Sequence, residues 1–221
     1  MLIPYPKIIF LYPTFVVCLI AAIWMLLTGR HAPGPEDATA VGITWLFLGV
    51  AAINSVVIAF DFPRATSLTM FFLLAAVVLG AILLFNLQPD WFPVLTDWLS
   101  TVRPVANATF FCLIAILLSL IYLAVFISVR FDYWEVRPNE LLHHHGLLSD
   151  LKRFSAPNLR IDKEVNDVFE YLLLGSGRLI LQPSGERRAI ILDNVLFISS
   201  KEAAITKMLG ALQVQVRQDS H

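Results

Sequence analysis

The sequence predicts an α-helical membrane bundle of four transmembrane helices followed by a small β-rich domain with a C-terminal helix. Three observations predict it. The chain is apolar: 57% of its 221 residues are hydrophobic, where a soluble domain runs nearer 45–50%, roughly. Its mean hydropathy is +0.72. The charges are segregated, because residues 1–129 hold only Lys7, Arg30, Arg64 and Arg103 against Glu36, Asp37, Asp61, Asp90 and Asp97. The other twelve basic and twelve acidic groups all fall in residues 130–221. The pattern also changes after Arg130, from long apolar runs to short segments punctuated by turn residues. The expected organisation is a membrane domain over 1–129 and a cytoplasmic domain over 130–221, the latter long enough for one small core.

Four apolar runs, Ile8–Leu27, Val41–Phe60, Ser67–Leu87 and Asn107–Val129, match the length needed to cross a hydrocarbon layer of about 30 Å. The first is too long for the apolar region of a cleavable signal peptide. Basic residues near the ends set orientation. Lys7 and Arg64 fall on one side, Arg30 and Arg103 on the other, and Arg130, Arg137, Lys152 and Arg153 break the tie. Both termini are therefore expected in the cytoplasm, with the loops 28–40 and 88–106 outside. In the second of these loops Trp91, Leu95, Trp98 and Val102 recur at helical spacing, which suits a short helix at the headgroup level. Asn54 and Ser55 lie mid-span, where an amide must find a hydrogen-bond partner, so they are expected to pack against another helix. Small residues four apart (Ala51 and Ser55, Ala76 and Gly80, Ala115 and Ser119) permit close helix approach. No Asp, Glu, Lys, Arg or His lies within a run, which argues against proton- or ion-coupled transport. Cys18 and Cys112 sit inside apolar runs and are expected to be small buried hydrophobes.

In the second half, FDYWEVR reads as a strand, Pro138-Asn139 as a turn, and Glu140–His145 as the return strand, broken by Gly146. Leu147–Ser155 and Leu159–Glu164 are further expected strands. NDVFEYLLL (166–174) is too apolar for a loop and reads as a helical turn under the sheet, ended by Gly175-Ser176-Gly177. RLILQ and RRAIIL flank a Pro183-Ser184-Gly185 hairpin. Ser199 and Glu202 offer a capping box for a helix running to about Leu212, with Ala203, Met208, Leu209 and Leu212 available for packing. Many strands and one terminal helix suggest a small curled sheet or open barrel plugged by that helix.

This half resembles the bacterial pleckstrin-homology-like (PH-like) domains over about residues 130–212. The residues that carry the resemblance are, in order, Tyr133-x-x-Val136, Asn139-Glu140-Leu141, Gly146-Leu147-Leu148, Arg153, Ala156-Pro157, Ile161, Val165, Val168-Phe169, Leu172-Leu173-Leu174-Gly175-x-Gly177, Leu179-Ile180 and Asp193-Asn194-Val195. The resemblance implies a bacterial inner-membrane protein whose domain serves interaction or oligomerisation. The chain departs from such proteins in having four spans and in the thin basic content after Gly146-Leu147.

The triple histidine is the most distinctive local feature. On a strand His143 and His145 share one face and His144 takes the other. Two histidines fall short of the three or four ligands that a zinc site needs. Metal binding, a pH-sensitive surface and a plain strand edge at an interface are the three readings of the run. The expectation is no metal, no cofactor and no catalytic residue. Gly175-x-Gly177 lacks the third glycine and lysine of a phosphate loop. Asp162, Glu164, Asp167 and Glu170 read as a solvated rim. With charge balanced in this half and no Lys/Arg block, nucleic acid is not an expected partner.

The expected function is a non-enzymatic scaffold or assembly protein that contacts membrane lipids and forms a homo-oligomer or joins a membrane protein complex. The expected contact residues are Leu142, His143, His144, His145, Gly146 and Leu147, with Val168, Phe169, Tyr171 and Leu172 from the apolar segment. The rival expectation is a transporter or channel subunit with a regulatory cytoplasmic domain, its polar path lined by Asn54 and Ser55 with Asn86 or Asn107 as further candidates.

Overall fold

The computed structural model describes residues 1–60, 69, 72–73, 76–77, 79–80, 83, 97, 101–146, 150–156, 159–183, 186 and 188–218. They form two compact units. One is Leu11–Ser119, and the other joins Met1–Phe10 to Leu120–His221.

The first unit is helical. In chain order a 3₁₀ turn (Lys7–Leu11), which belongs to the other unit up to Phe10, leads into α1 (Tyr12–Leu27), followed by α2 (Ala38–Ala59) and α3 (Ala108–Phe131), which passes into the other unit at Leu120. Pro13 suits the first turn of α1, where its missing N–H costs nothing. Asp37 caps α2 by accepting from the Thr39 and Ala40 amides, and it also holds the Arg30 guanidinium at 2.6 Å. Those cap bonds, helped by Arg30, hold the Asp37 carboxyl below its ordinary pKa. Among the described residues, Lys7–Leu27, Ala38–Ala59 and Ala108–Phe131 are three helices long and apolar enough to cross a membrane. The expected run Ser67–Leu87 lies mostly outside the described residues, and those of it that are described are helical. The expected helix at Trp91–Val102 also lies almost wholly outside them.

Packing in this unit is tight at one seam. Cys18, Ala21, Ala22, Met25, Ala40, Phe47, Phe111 and Ala115 form a buried cluster. Phe47 meets Phe111 edge-on at 5.5 Å between ring centroids. Other faces stay apolar yet exposed, with Ile20, Ile53, Leu113 and Ile116 each more than half exposed. A helix that is apolar all round needs a lipid or protein surround rather than water.

Among the described residues the second unit holds six strands: β1 (Asp132–Val136), β2 (Glu140–His145), β3 (Asp150–Ser155), β4 (Arg160–Glu164), β5 (Gly177–Gln182) and β6 (Ile190–Val195). They make two antiparallel three-stranded sheets, β1-β2-β3 and β4-β5-β6. The short helix α4 (Val168–Leu174) links β4 to β5, and α5 (Ile198–Gln218) follows β6. Asp167 caps α4, accepting from the Phe169 and Glu170 amides, and Gly175 closes it in the left-handed conformation at φ 59°. Gly177 is required for a different reason. A Cβ there would lie 2.8 Å from the Glu164 carbonyl and 3.0 Å from Ile198, so any side chain would drive β4 and α5 off β5.

The leading segment completes this unit, which the sequence pattern did not reveal. Leu2 exchanges both backbone hydrogen bonds with Trp134 of β1, at 2.6 and 2.8 Å. Two residues on, Pro4 bridges Val195 of β6. One short extended stretch thus touches an edge strand of each sheet. β6 accommodates it with a bulge, where the register with β5 slips between Gly177 and Leu179. Asn194 takes φ 54° at that bulge and its carbonyl accepts from the Tyr5 amide. The core joins Leu2, Trp134, Leu141, Leu159, Leu179, Leu181, Leu192, Val195, Ile198 and Ile205.

Two expectations need correction. Helix α5 starts at Ile198, so Ser199 lies inside the first turn rather than ahead of it. Its capping-box partner Glu202 instead binds Lys163 at 3.1 Å. The helix also continues to Gln218, and Ile205 takes the core position with Met208 and Leu209 beside it, while Ala203 is exposed. The acids do not form one solvated rim. Asp162 and Glu164 are exposed, but Asp167 is buried as the α4 cap, and Glu170 is buried with the Lys7 ammonium 3.4 Å away.

Leu2 is 1% exposed, and truncating such a leucine costs about 2–5 kcal/mol. Leu2→Ala is expected to lower the thermal midpoint of the β-rich unit, read by differential scanning fluorimetry of the detergent-solubilised protein. A change of less than a degree or so would mean that the leading segment contributes nothing to that fold.

Candidate functional site

The histidine run lies on β2 opposite β1, in the register Asp132↔His145, Tyr133↔His144 and Trp134↔His143. Alternation divides the three rings between two faces, as the sequence implies. On the core-side face, Trp134 and Leu141 are buried and His143 continues the row outward. The His143 ring stacks on the Trp134 indole, with centroids 4.0 Å apart and planes within 5°. Stacking against a buried tryptophan fixes the imidazole plane. It leaves His143 only 17% exposed at the side chain, compared with 60% for His145.

Asp132 closes this group. It is the residue directly after α3, and its Oδ1 lies 2.8 Å from His143 Nε2 and 3.8 Å from His145 Nδ1. One ligand atom from each of Asp132, His143 and His145 falls within 4.8 Å of the other two. Asp132 was missed in the sequence because it lies eleven residues from His143. Only the hairpin register brings them together. A reading that paired β1 and β2 through the Pro138-Asn139 turn had the information to find it.

The opposite face is built differently. His144 stacks on Tyr133 with centroids 4.4 Å apart. Its Nε2 is 3.4 Å from Glu135 Oε2 and makes no hydrogen bond. Glu135 is mainly the partner of Arg137, with Nε to Oε1 at 3.0 Å. The Arg137 hydrogen bond, aided by its charge and by His144, holds the Glu135 carboxyl below the ordinary glutamate value.

The other expected contact residues separate clearly. Leu142 is 2% exposed and belongs to the interior of this chain, so it offers no surface to a partner. Gly146 takes φ 80° and makes the bend after β2. Leu147 lies outside the described residues. On α4, Val168 and Phe169 are half-buried, Tyr171 is exposed, and Leu172 is 77% exposed. A residue that the sequence did not flag adjoins them. Phe197 is 63% exposed and sits at φ 51°, and its amide donates to the Leu174 carbonyl at the end of α4. A phenylalanine in the left-handed region carries a strain of order 1–3 kcal/mol.

In the helical unit, Asn54 is buried and donates to Thr14 Oγ1 at 2.8 Å. Ser55 is exposed and donates to the Ala51 carbonyl of its own helix. The buried Thr44 hydroxyl donates to the Ala40 carbonyl and accepts from the Ala106 amide. These polar groups are satisfied by neighbouring helices or by their own backbone, as packing groups are.

Comparisons with known proteins found no family model, no curated protein and no solved structure that matches the chain.

A carboxylate with a lowered folded pKa contributes stability above its unfolded pKa, and that contribution is lost as pH falls through the folded value. Glu135→Gln is therefore expected to reduce stability slightly at neutral pH and not at all at the acid end, so that the two stability curves converge on acidification. Curves that stay parallel would remove the Glu135–Arg137 pair from the account.

Proposed function

We propose that this chain is a four-span bacterial inner-membrane protein whose cytoplasmic domain, PH-like in plan, is a non-enzymatic self-association module. The four-span topology is supported by parity. Leu2 and Pro4 pair with strands that follow the last apolar helix, so the segment before the first span and the β-rich domain share one side of the membrane. The number of crossings between Lys7 and Phe131 is then even. Three apolar helices are described, and the Ser67–Leu87 run supplies the fourth crossing. Lys7, Arg130, Arg137, Lys152 and Arg153 all belong to that shared side, which the positive-inside rule places in the cytoplasm.

The assembly role is carried by one observation: the exposed Tyr171 and Leu172 of α4 together with the exposed Phe197, whose left-handed backbone is bonded to the Leu174 carbonyl at the end of that helix. Strain of this kind persists where the surroundings enforce it, and it clusters at working surfaces. Aromatic and apolar side chains shown to water in this way suit a protein contact. A second copy of the chain is the occupant proposed. Two antiparallel three-stranded sheets followed by one helix suit the PH-like plan.

The test is the native mass of the complex extracted gently from membranes. A homo-oligomer is expected for the wild-type chain, and Phe197→Asp and Leu172→Asp are each expected to shift it to a smaller species while the thermal midpoint changes little. A wild-type monomer, or an oligomer indifferent to both substitutions, rejects this surface as the interface. Cysteine-accessibility labelling tests the topology separately. Residues 31 and 36 are expected to react from outside intact cells and residues 152 and 186 only after permeabilisation, and the reverse would overturn the orientation.

A further inference from the structure

We propose that Asp132, His143 and His145 form a binding site for a divalent transition ion of the zinc class. This goes beyond the assembly role and does not depend on it. The geometry begins with a shared acceptor: both imidazoles converge on the same carboxylate oxygen, Asp132 Oδ1, at 2.8 and 3.8 Å. A simple Asp–His hydrogen bond accounts for His143, while His145 stands beyond hydrogen-bond reach of the same oxygen and tilts toward the His143 ring, 5.4 Å away between centroids. Three ligands at about 2.0–2.2 Å from one tetrahedral ion lie roughly 3.3–3.6 Å from one another. The two observed separations bracket that range. The exposed His145 can close the difference by a small side-chain rotation, while the ring plane of His143 is already fixed against Trp134.

The donor set selects the class of ion. Two imidazole nitrogens and one carboxylate oxygen suit zinc and its first-row neighbours, whereas calcium and magnesium require mostly oxygen ligands. Three protein ligands leave a position for water, and the partial exposure of Asp132 and His145 gives solvent access to it. Placement gives the site a consequence for the fold. Asp132 is the first residue after α3 and His145 is the last of β2, so a bound ion clamps the open end of the hairpin at the foot of that helix.

The test uses the full chain in detergent, purified without a polyhistidine tag, stripped with chelator and titrated with Co²⁺ followed by Zn²⁺ competition. The expected result is one Co²⁺ per chain with a visible ligand-field band that Zn²⁺ abolishes. His145→Ala alters an exposed side chain and Asp132→Asn keeps the size of a half-exposed one, so the fold tolerates them, and each is expected to weaken binding by more than about tenfold, since even outer-sphere changes cost that much at metal sites. His144→Ala, on the opposite face, and His221→Ala are expected to leave binding unchanged. No stoichiometric uptake would overturn the proposal, and so would a loss in His144→Ala equal to that in His145→Ala, which is the behaviour of an unstructured histidine cluster.

Discussion

The backbone pair between Leu2 and Trp134 organises the rest of this structure. Its two hydrogen bonds tie a segment that precedes all the apolar helices to the first strand that follows them. The Pro4–Val195 bridge extends the tie to the other sheet. Without that stretch, β1 and β6 would each present an unpaired edge. A proline at the second contact suits an edge position, because it has no N–H to leave unpaired. Leu2 also inserts its side chain into the core beside Trp134, Leu179 and Val195, so register and burial reinforce one another.

The same leading segment carries a charge into the domain. Lys7 opens the 3₁₀ turn before α1, and its ammonium lies 3.4 Å from Glu170, whose side chain is almost fully buried. Lys7 is itself 39% exposed, so its ammonium keeps contact with water while facing the buried carboxylate. Further along, the Tyr122 hydroxyl of α3 donates to the Ile9 carbonyl. The path into the first span is therefore fastened at Leu2, Pro4, Lys7 and Ile9, to four different parts of the unit.

Much of this architecture was legible in the sequence. Period-two alternation and turn residues located the strands, and the expected Glu140–His145 coincides with β2. The Gly175-Ser176-Gly177 turn marked the end of α4, while the capping role of Asp167 at its start went unread. The opposite faces of His143 and His144 followed from strand geometry alone. What escaped depends on long-range pairing. Met1–Pro6 is too short to show a period, and nothing local signals that Leu2 will meet a residue more than a hundred positions away. Asp132 is likewise an unremarkable acid until the hairpin register sets it opposite His145. Glu170 looked like surface because its partner is Lys7, at the far end of the chain. Ser199 and Glu202 fit a capping motif by spacing, but the left-handed Phe197 turns the chain into the helix earlier. Local physics placed the elements, and the tertiary contacts decided which of their polar groups became buried, paired or convergent.

The most direct test of the central tie is hydrogen exchange of the Leu2 and Trp134 amides in the detergent-solubilised full chain. Amides locked in a core ladder exchange only through large-scale opening, whereas those of an unattached terminal segment exchange almost at once. The peptide spanning Leu2 to Tyr5 is expected to be protected to the same order as β1. Immediate exchange in that peptide beside a protected β1 would contradict it, and would remove both the bridge between the sheets and the parity argument for an even number of crossings.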